Sequence, residues 1–325
     1  MANNTMKEIA RVLLDAQSVL IFPHINMDGD AVGSSAALCR ELRKRGKDCW
    51  VLCEDSMPGN LVFIGQGYMT ADHDLIKNAD VSICVDCGDV SRFPARKEKF
   101  LQGKTTVCID HHQTTSEFCD YNYVDPAAAA TGELIWALLK EMCAEPDAEI
   151  GQAIFAAIAT DTGNFQYSNT TKNCHLIMAE LYDWGVDTNK ASVEIYENER
   201  LEKLQITVKA LNTLEILGSD FNKAAFAHIT LADMEDCGAE PAETDGVIDK
   251  LRSIRGVEYA AFLKEKEPGV IRVSMRAKRR GNVAEIASKY QGGGHIKAAG
   301  CTLYMSMEEA LAVMKKELEE AISKL

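Results

Sequence analysis

Short unbroken apolar runs alternate along the chain with longer stretches of helical period. Residues 18–22, 48–53, 81–85 and 105–109 are runs of strand length. Continuous apolar runs of this length mark strands buried on both faces, as in a parallel sheet. Apolar spacing of three and four residues predicts helices over 6–16, 31–44, 133–143, 149–159 and 173–184, with a short helix at 75–77. Residues 60–70 show no clear period. Strands separated by helix-length crossovers predict an α/β fold with a doubly wound parallel sheet.

The pattern changes after Gly185, where polar and charged residues lead into an amphipathic helix beginning near Leu201. We place a first domain at 1–190, a connector helix at 191–210 and a second, smaller α/β domain at 211–325. In the second domain, strands are expected at 224–229, 257–264 and 270–276, and helices at 231–236, 244–254, 283–289 and 307–325. Residues 292–300 form a Gly-rich stretch read as a loop.

Polar residues gather where three of the first-domain runs end. The run 18–22 leads into His24, Asn26, Asp28 and Asp30 before a helix. The run 81–85 ends in Asp86, and 105–109 ends in Asp110-His111-His112. Asp161 follows the helix 149–159 in a Gly-bearing turn. An Asp before a helix is ordinarily a cap. Repeated His/Asp clusters at strand ends point instead to one convergent polar pocket, because open α/β sheets bind ligands at the carboxyl ends of their strands. Six ligands (His24, Asp28, Asp30, Asp86, His111, Asp161) exceed the need of one metal and suit two, with Asp86 shared. Two ions can activate a water and neutralise charge at phosphorus. Mixed imidazole and carboxylate ligands favour Mn²⁺, with Mg²⁺ or Co²⁺ as alternatives. In the second domain, the basic run 276–280 and Gly292-Gly293-Gly294-His295 suggest a phosphate-binding surface.

Composition narrows the picture. The chain has 325 residues, 46% apolar and 26% charged, as expected of globular domains. A net charge of -14 opposes a general nucleic-acid coat but not an enzyme whose bound metals supply local positive charge. Its 11 Cys lack paired metal spacing, and neither a membrane span nor a secretory signal is expected. Scattered, odd-numbered cysteines then imply reduced thiols and a cytoplasmic location. Cys84-x-x-Cys87 lies in a strand and is not expected to be a redox pair.

Taken together, His24-x-Asn26-x-Asp28-x-Asp30, Asp86, Asp110-His111-His112 and Asp161 resemble the motifs of the DHH phosphoesterase superfamily. Gly292–His295 with Ala298-Ala299-Gly300 resembles the DHH-associated C-terminal domain. The length resembles the stand-alone nanoRNase / 3'-phosphoadenosine-5'-phosphate (pAp) phosphatase group. The resemblance implies His24, Asp28 and Asp86 on one metal, and Asp30, Asp86, His111 and Asp161 on the other. It implies His112 beside the scissile phosphate, with Asp110 orienting an imidazole. Arg276, Lys278, Gly293, Gly294 and His295 would contact substrate. The implied reaction uses a two-metal activated hydroxide to release 5'-mononucleotides from very short RNA or DNA oligonucleotides, or AMP from pAp. Cyclic di-AMP or its linear product pApA is the alternative substrate, and a nucleotide-sensing module the alternative outside catalysis. The resemblance also suggests a homodimer.

Overall fold

Strand residues of the first unit alternate between two cores, and this alternation fixes the sheet. The structure, a computed structural model, describes residues 3–219 and 222–325. The chain forms two units, Met1–Asn198 and Glu199–Leu325. The division falls inside the expected connector at 191–210. Helix Leu201–Asn212 packs on the second unit's sheet through Ile206 and Ala210.

In the first unit, strands β1 (Ser18–Phe22), β2 (Asp48–Leu52), β3 (Met69–Thr70), β4 (Val81–Val85), β5 (Thr105–Asp110) and β6 (Tyr121–Val124) form one sheet. Its order is β3-β2-β1-β4-β5-β6, and every neighbouring pair is parallel. Val19, Ile21, Val51, Ile83 and Ile109 face helices Met6–Asp15, Gly29–Lys44, Thr131–Glu141 and Ala148–Asp161. Leu20, Phe22, Leu52, Cys84 and Cys108 face the other side. There the cover is short helical turns and an aromatic cluster. Phe22 lies 5.2 Å from Phe100 and 5.7 Å from Phe93. Offset and edge-on ring pairs at such distances add to area burial.

The second unit has a mixed sheet in the order β11-β12-β10-β9-β8-β7. Its strands are β7 (Glu215–Ser219), β8 (Asn222–Ile229), β9 (Val257–Glu267), β10 (Val270–Ala277), β11 (Gly293–His295) and β12 (Ala298–Tyr304). The β8–β9 pair is parallel and the others antiparallel. Helices Val283–Lys289 and Met307–Ser323 cover one face, and Leu201–Asn212 and Val247–Ser253 the other.

Several expectations are corrected. Residues 75–77 are a bend, and helix 244–254 is divided into a turn at Pro241–Thr244 and helix Val247–Ser253. The Gly-rich stretch is a hairpin: Gly293–His295 pairs antiparallel with Ala298–Gly300. Two Gly are compatible with a strand here because β11 is a short exposed edge. Among the described residues no helix is long and apolar enough to cross a membrane, and all 11 cysteines are free.

Helix Gly29–Lys44 and helix Ala148–Asp161 approach closely because Gly33 has no side chain. A Cβ at Gly33 would stand 2.3 Å from the Ala153 carbonyl oxygen. Gly33→Ala should therefore lower unfolding free energy by about 1–3 kcal/mol. A reduced urea midpoint would show it; an unchanged midpoint would mean that the helix pair separates freely.

Candidate metal centre

Each polar group of the site is delivered by the end of a regular element. After β1 the chain enters Pro23-His24, and helix Gly29–Lys44 begins with Asp28 as its cap. Asp28 Oδ1 accepts from Asp30 N at 3.1 Å and Ala31 N at 3.0 Å, while Oδ2 stands 3.8 Å from His24 Nε2. The capping role and the site role thus use different oxygens. Asp86 follows β4 at φ 56°, a left-handed conformation that Asp tolerates better than most residues. Asp161 is not in a turn as expected but is the last residue of helix Ala148–Asp161, and Asp30 lies in the first turn of its helix.

The sheet brings His24, Asp28, Asp30, Asp86, His111, His112 and Asp161 together. Three overlapping groups have ligand atoms within 4.8 Å of one another: His24/Asp28/Asp86, Asp30/His111/Asp161 and Asp86/His111/His112. Asp86 Oδ2 is 3.5 Å from His24 Nε2, and Asp86 Oδ1 is 3.7 Å from His111 Nε2. His111 Nε2 is also 3.4 Å from Asp161 Oδ2 and 3.8 Å from Asp30 Oδ2. Most of these separations are long for hydrogen bonds. Donors held about 2.0–2.2 Å from a common ion stand roughly 3.0–3.6 Å apart; the His24–Asp86 and His111–Asp161 pairs fall in that range, and the other pairs stand about 0.1–0.2 Å beyond it.

The imidazoles are prepared differently. His24 Nδ1 is 2.7 Å from Ile25 O, and His111 Nδ1 is 3.2 Å from Ala128 O. A carbonyl can only accept, so each Nδ1 carries a proton, and Nε2 is the nitrogen that each ring turns toward the carboxylates. His112 is turned the other way. Its Nδ1 donates to Asp110 Oδ1 at 2.8 Å, leaving Nε2 for another partner. The side chain of His112 is 40% exposed, whereas Asp110 is fully buried. Asp110 also accepts from His111 N–H at 2.9 Å and from the Thr115 hydroxyl.

Four carboxylates here have no lysine or arginine ion partner among the described residues, and two of them, Asp30 and Asp161, titrate high. Burial, then the charges of Asp86, Asp161 and Asp28, push Asp30 far above the usual carboxylate range. Burial and the charges of Asp86 and Asp28 push Asp161 up to about 6, against the pull of His111 and His112. Burial pulls His24 down, but Asp28, Asp86 and the Ile25 carbonyl outweigh it and raise the imidazole to about 10. Asp110, through its hydrogen bond, raises His112, and is itself held low by that bond despite its burial. A divalent cation is what this excess of negative charge and these inward-facing Nε2 atoms fit.

Several supporting residues carry no signal in the sequence. Thr131 and Gly132, at the start of helix Thr131–Glu141, donate backbone N–H groups to Asp30 at 2.6 and 2.9 Å. Ser34 Oγ donates to Asp30 Oδ1 at 2.9 Å, and Thr131 Oγ1 donates to Asp86 Oδ1 at 2.9 Å. Asp30 Oδ2 keeps one lone pair on the His111 side. Arg96 is fully buried and donates to Pro23 O at 3.0 Å, to Leu52 O and to Glu54 Oε1 at 2.9 Å. It ties the carboxyl ends of β1 and β2 together just before His24. Asp55 Oδ2 fixes Asn26 N at 2.7 Å in the same loop. A buried Arg is indistinguishable in sequence from a surface one.

The remaining predicted residues lie in the second unit. Arg276 and His295 both register with Ala298, so they stand in one row across β10, β12 and β11. His295, Gly293 and Gly294 are exposed, and Lys278 Nζ donates to Ile254 O at 3.1 Å.

Comparison with known proteins agrees with this anatomy. The profile of the DHH family, N-terminal domain, matches residues 18–160, and that of the DHHA1 domain matches residues 223–324. The chain belongs to the DHH family, and its C-terminal part is a DHHA1 domain. It is 30% identical to the bifunctional oligoribonuclease and PAP phosphatase NrnA of Thermus thermophilus, over 97% of this chain and 95% of that protein. It is 27% identical to the NrnA of Bacillus subtilis, over 93% of this chain and 94% of that one. An exopolyphosphatase-related protein from Bacteroides fragilis has the same fold, with a TM-score of 0.90 and 24% identity over 98% of this chain and 96% of that one.

Metal binding must displace protons. With His24 at about 10 and Asp161 at about 6, divalent-ion affinity should rise with pH across that interval and fall steeply below it. Calorimetry of Mn²⁺ binding near neutral pH in buffers of different ionisation enthalpy should show release of at least one proton per chain. No buffer dependence would contradict the assigned titration of the site.

Proposed function

We propose that the chain is a metal-dependent phosphoesterase that cleaves very short oligonucleotides to 5'-mononucleotides and converts pAp to AMP. The observation that carries the reading is the shared Asp86 between two His/Asp groups in a chain matching NrnA relatives along nearly its whole length. His24, Asp28 and Asp86 would hold one divalent ion; Asp30, Asp86, His111 and Asp161 would hold a second. Mn²⁺ suits two imidazoles among carboxylates better than Mg²⁺, which prefers oxygen alone. Such ions supply an acidified water and neutralise the charge that develops on phosphoryl oxygens.

The chain's own residues do the rest. Thr131 and Gly132 hold Asp30 by its oxygens and restrict it to one orientation. Asp110 keeps the Nδ1 proton of His112 and favours the imidazolium, so Nε2–H donates to a phosphate oxygen or to the leaving oxygen. Microscopic proton donation of this kind contributes roughly 10²–10⁴ in rate. In the second unit, Arg276 supplies a planar guanidinium suited to phosphate. His295, Lys278 and the bare backbone of Gly293 and Gly294 are the further substrate contacts in this reading.

Product release from a dinucleotide, a long oligonucleotide, pAp, pApA and cyclic di-AMP, with Mn²⁺ or with EDTA, tests the function. We expect EDTA-sensitive turnover of the dinucleotide and pAp, and slow cleavage of the long strand. Preference for cyclic di-AMP would replace the substrate assignment, and tight nucleotide binding without any turnover would replace catalysis with sensing. His112→Ala should lower kcat about 10²–10⁴-fold while metal content stays at the wild-type level. Loss of metal along with activity would make His112 a ligand instead.

A further inference from the structure

A second concentration of charge, of the opposite sign, lies wholly within the second unit. A cavity of about 390 Å³ is lined by Arg255, Glu258, Lys278, Arg279 and Arg280, together with Gly256 and Val257. In a chain of net charge -14, four cations around one cavity are not the average surface. The one acid there is already committed. Glu258 Oε2 accepts the backbone N–H of Arg279 and of Arg280, each at 3.1 Å, and the carboxylate sits low as those bonds and the two arginine charges outweigh burial. Arg280 is tied to Asn222 Oδ1 at 2.6 Å and to Leu325 O at 3.2 Å. Arg255 and Arg279 are exposed, and neither guanidinium has a hydrogen bond or ion pair among the described residues, although the Glu258 charge acts on Arg279. Burial, with the neighbouring Arg279 and Arg252, pulls the Lys278 ammonium down against the opposing charge of Glu258.

We propose that this cavity is a phosphodiester subsite for an oligonucleotide, with Arg255 and Arg279 as its two free guanidinium groups. The ligand class follows from the lining together with the substrate reading above, on which it rests. The cavity is of small-ligand size. Its lining has four cations, one acid bound to backbone donors and no aromatic side chain, so it offers charge to a phosphate but no platform for stacking a base. Recognition there is through the backbone: insensitive to sequence and dependent on salt. It extends the nucleic-acid contact beyond the row of Arg276 and His295 toward the start of β9.

The test is direct binding, independent of turnover. Full-length, Mn²⁺-loaded protein is titrated into dye-labelled short oligoadenylate and oligouridylate with cleavage-resistant phosphorothioate linkages, across a range of salt. Arg255→Ala/Arg279→Ala should weaken both probes roughly tenfold at low salt. It should also make the log–log salt dependence shallower by about 1.4, two phosphates at about 0.7 each. Lys289→Ala/Lys315→Ala removes the same charge from ion-paired lysines and should leave affinity and slope as they are. Wild-type affinity and slope in the arginine variant would overturn the proposal, as would an equal loss in the lysine variant or failure of the wild type to bind. Because the probes resist cleavage, a protein that binds in this way yet hydrolyses nothing would refute the proposed activity and leave the subsite standing.

Discussion

Asp86 holds its carboxylate between two imidazoles, with Oδ2 3.5 Å from His24 and Oδ1 3.7 Å from His111. That arrangement depends on adjacent parallel strands, β1, β4 and β5, ending at the same edge. It also depends on the sharp turn at Asp86, whose positive φ directs the chain away from the sheet as β4 ends. A β-branched residue would adopt that backbone at considerable cost and would bring no carboxylate.

Crowding Asp28, Asp30, Asp86 and Asp161 together is electrostatically unfavourable, and the fold offsets part of it before any ion arrives. Helix Thr131–Glu141 aims its free N-terminal N–H groups at Asp30, and helix Gly29–Lys44 does the same for Asp28. Both use the positive end of a helix against a buried or partly buried anion. Arg96 adds a cation that neutralises Glu54 but mainly braces the backbone, fixing where β1 and β2 stop. Charge left over after these contacts is seen in the raised Asp30 and Asp161. The second unit shows the complementary arrangement: Glu258 accepts from backbone donors, and the guanidinium groups of Arg255 and Arg279 are left without hydrogen bonds among the described residues.

The first sheet was legible because its strands are buried on both faces and read as apolar runs. The site was legible because polar residues interrupt those runs at their carboxyl ends, as at Asp86 and Asp110. Short β3 and β6, and the edge strands of the second sheet, were hidden. Tyr121–Val124 has too few residues to establish a period, and Gly293–His295 has two Gly where a strand ordinarily carries side chains. The supporting roles of Arg96, Thr115 and Ser34 come from contacts made only once the chain is folded, so neither spacing nor composition reveals them. Asp28 had two competing readings, cap and site, and the structure gives one oxygen to each.

The most direct test of the account is a count of Mn²⁺ bound per chain, by metal analysis after equilibrium dialysis, for wild type and for Asp86→Ala, with folding checked by circular dichroism. The account predicts two ions per chain in the wild type and loss of both at moderate Mn²⁺ in the variant, because the residue shared by both groups is gone. Two ions retained by a folded Asp86→Ala protein would contradict the shared role of Asp86 and the arrangement built on it.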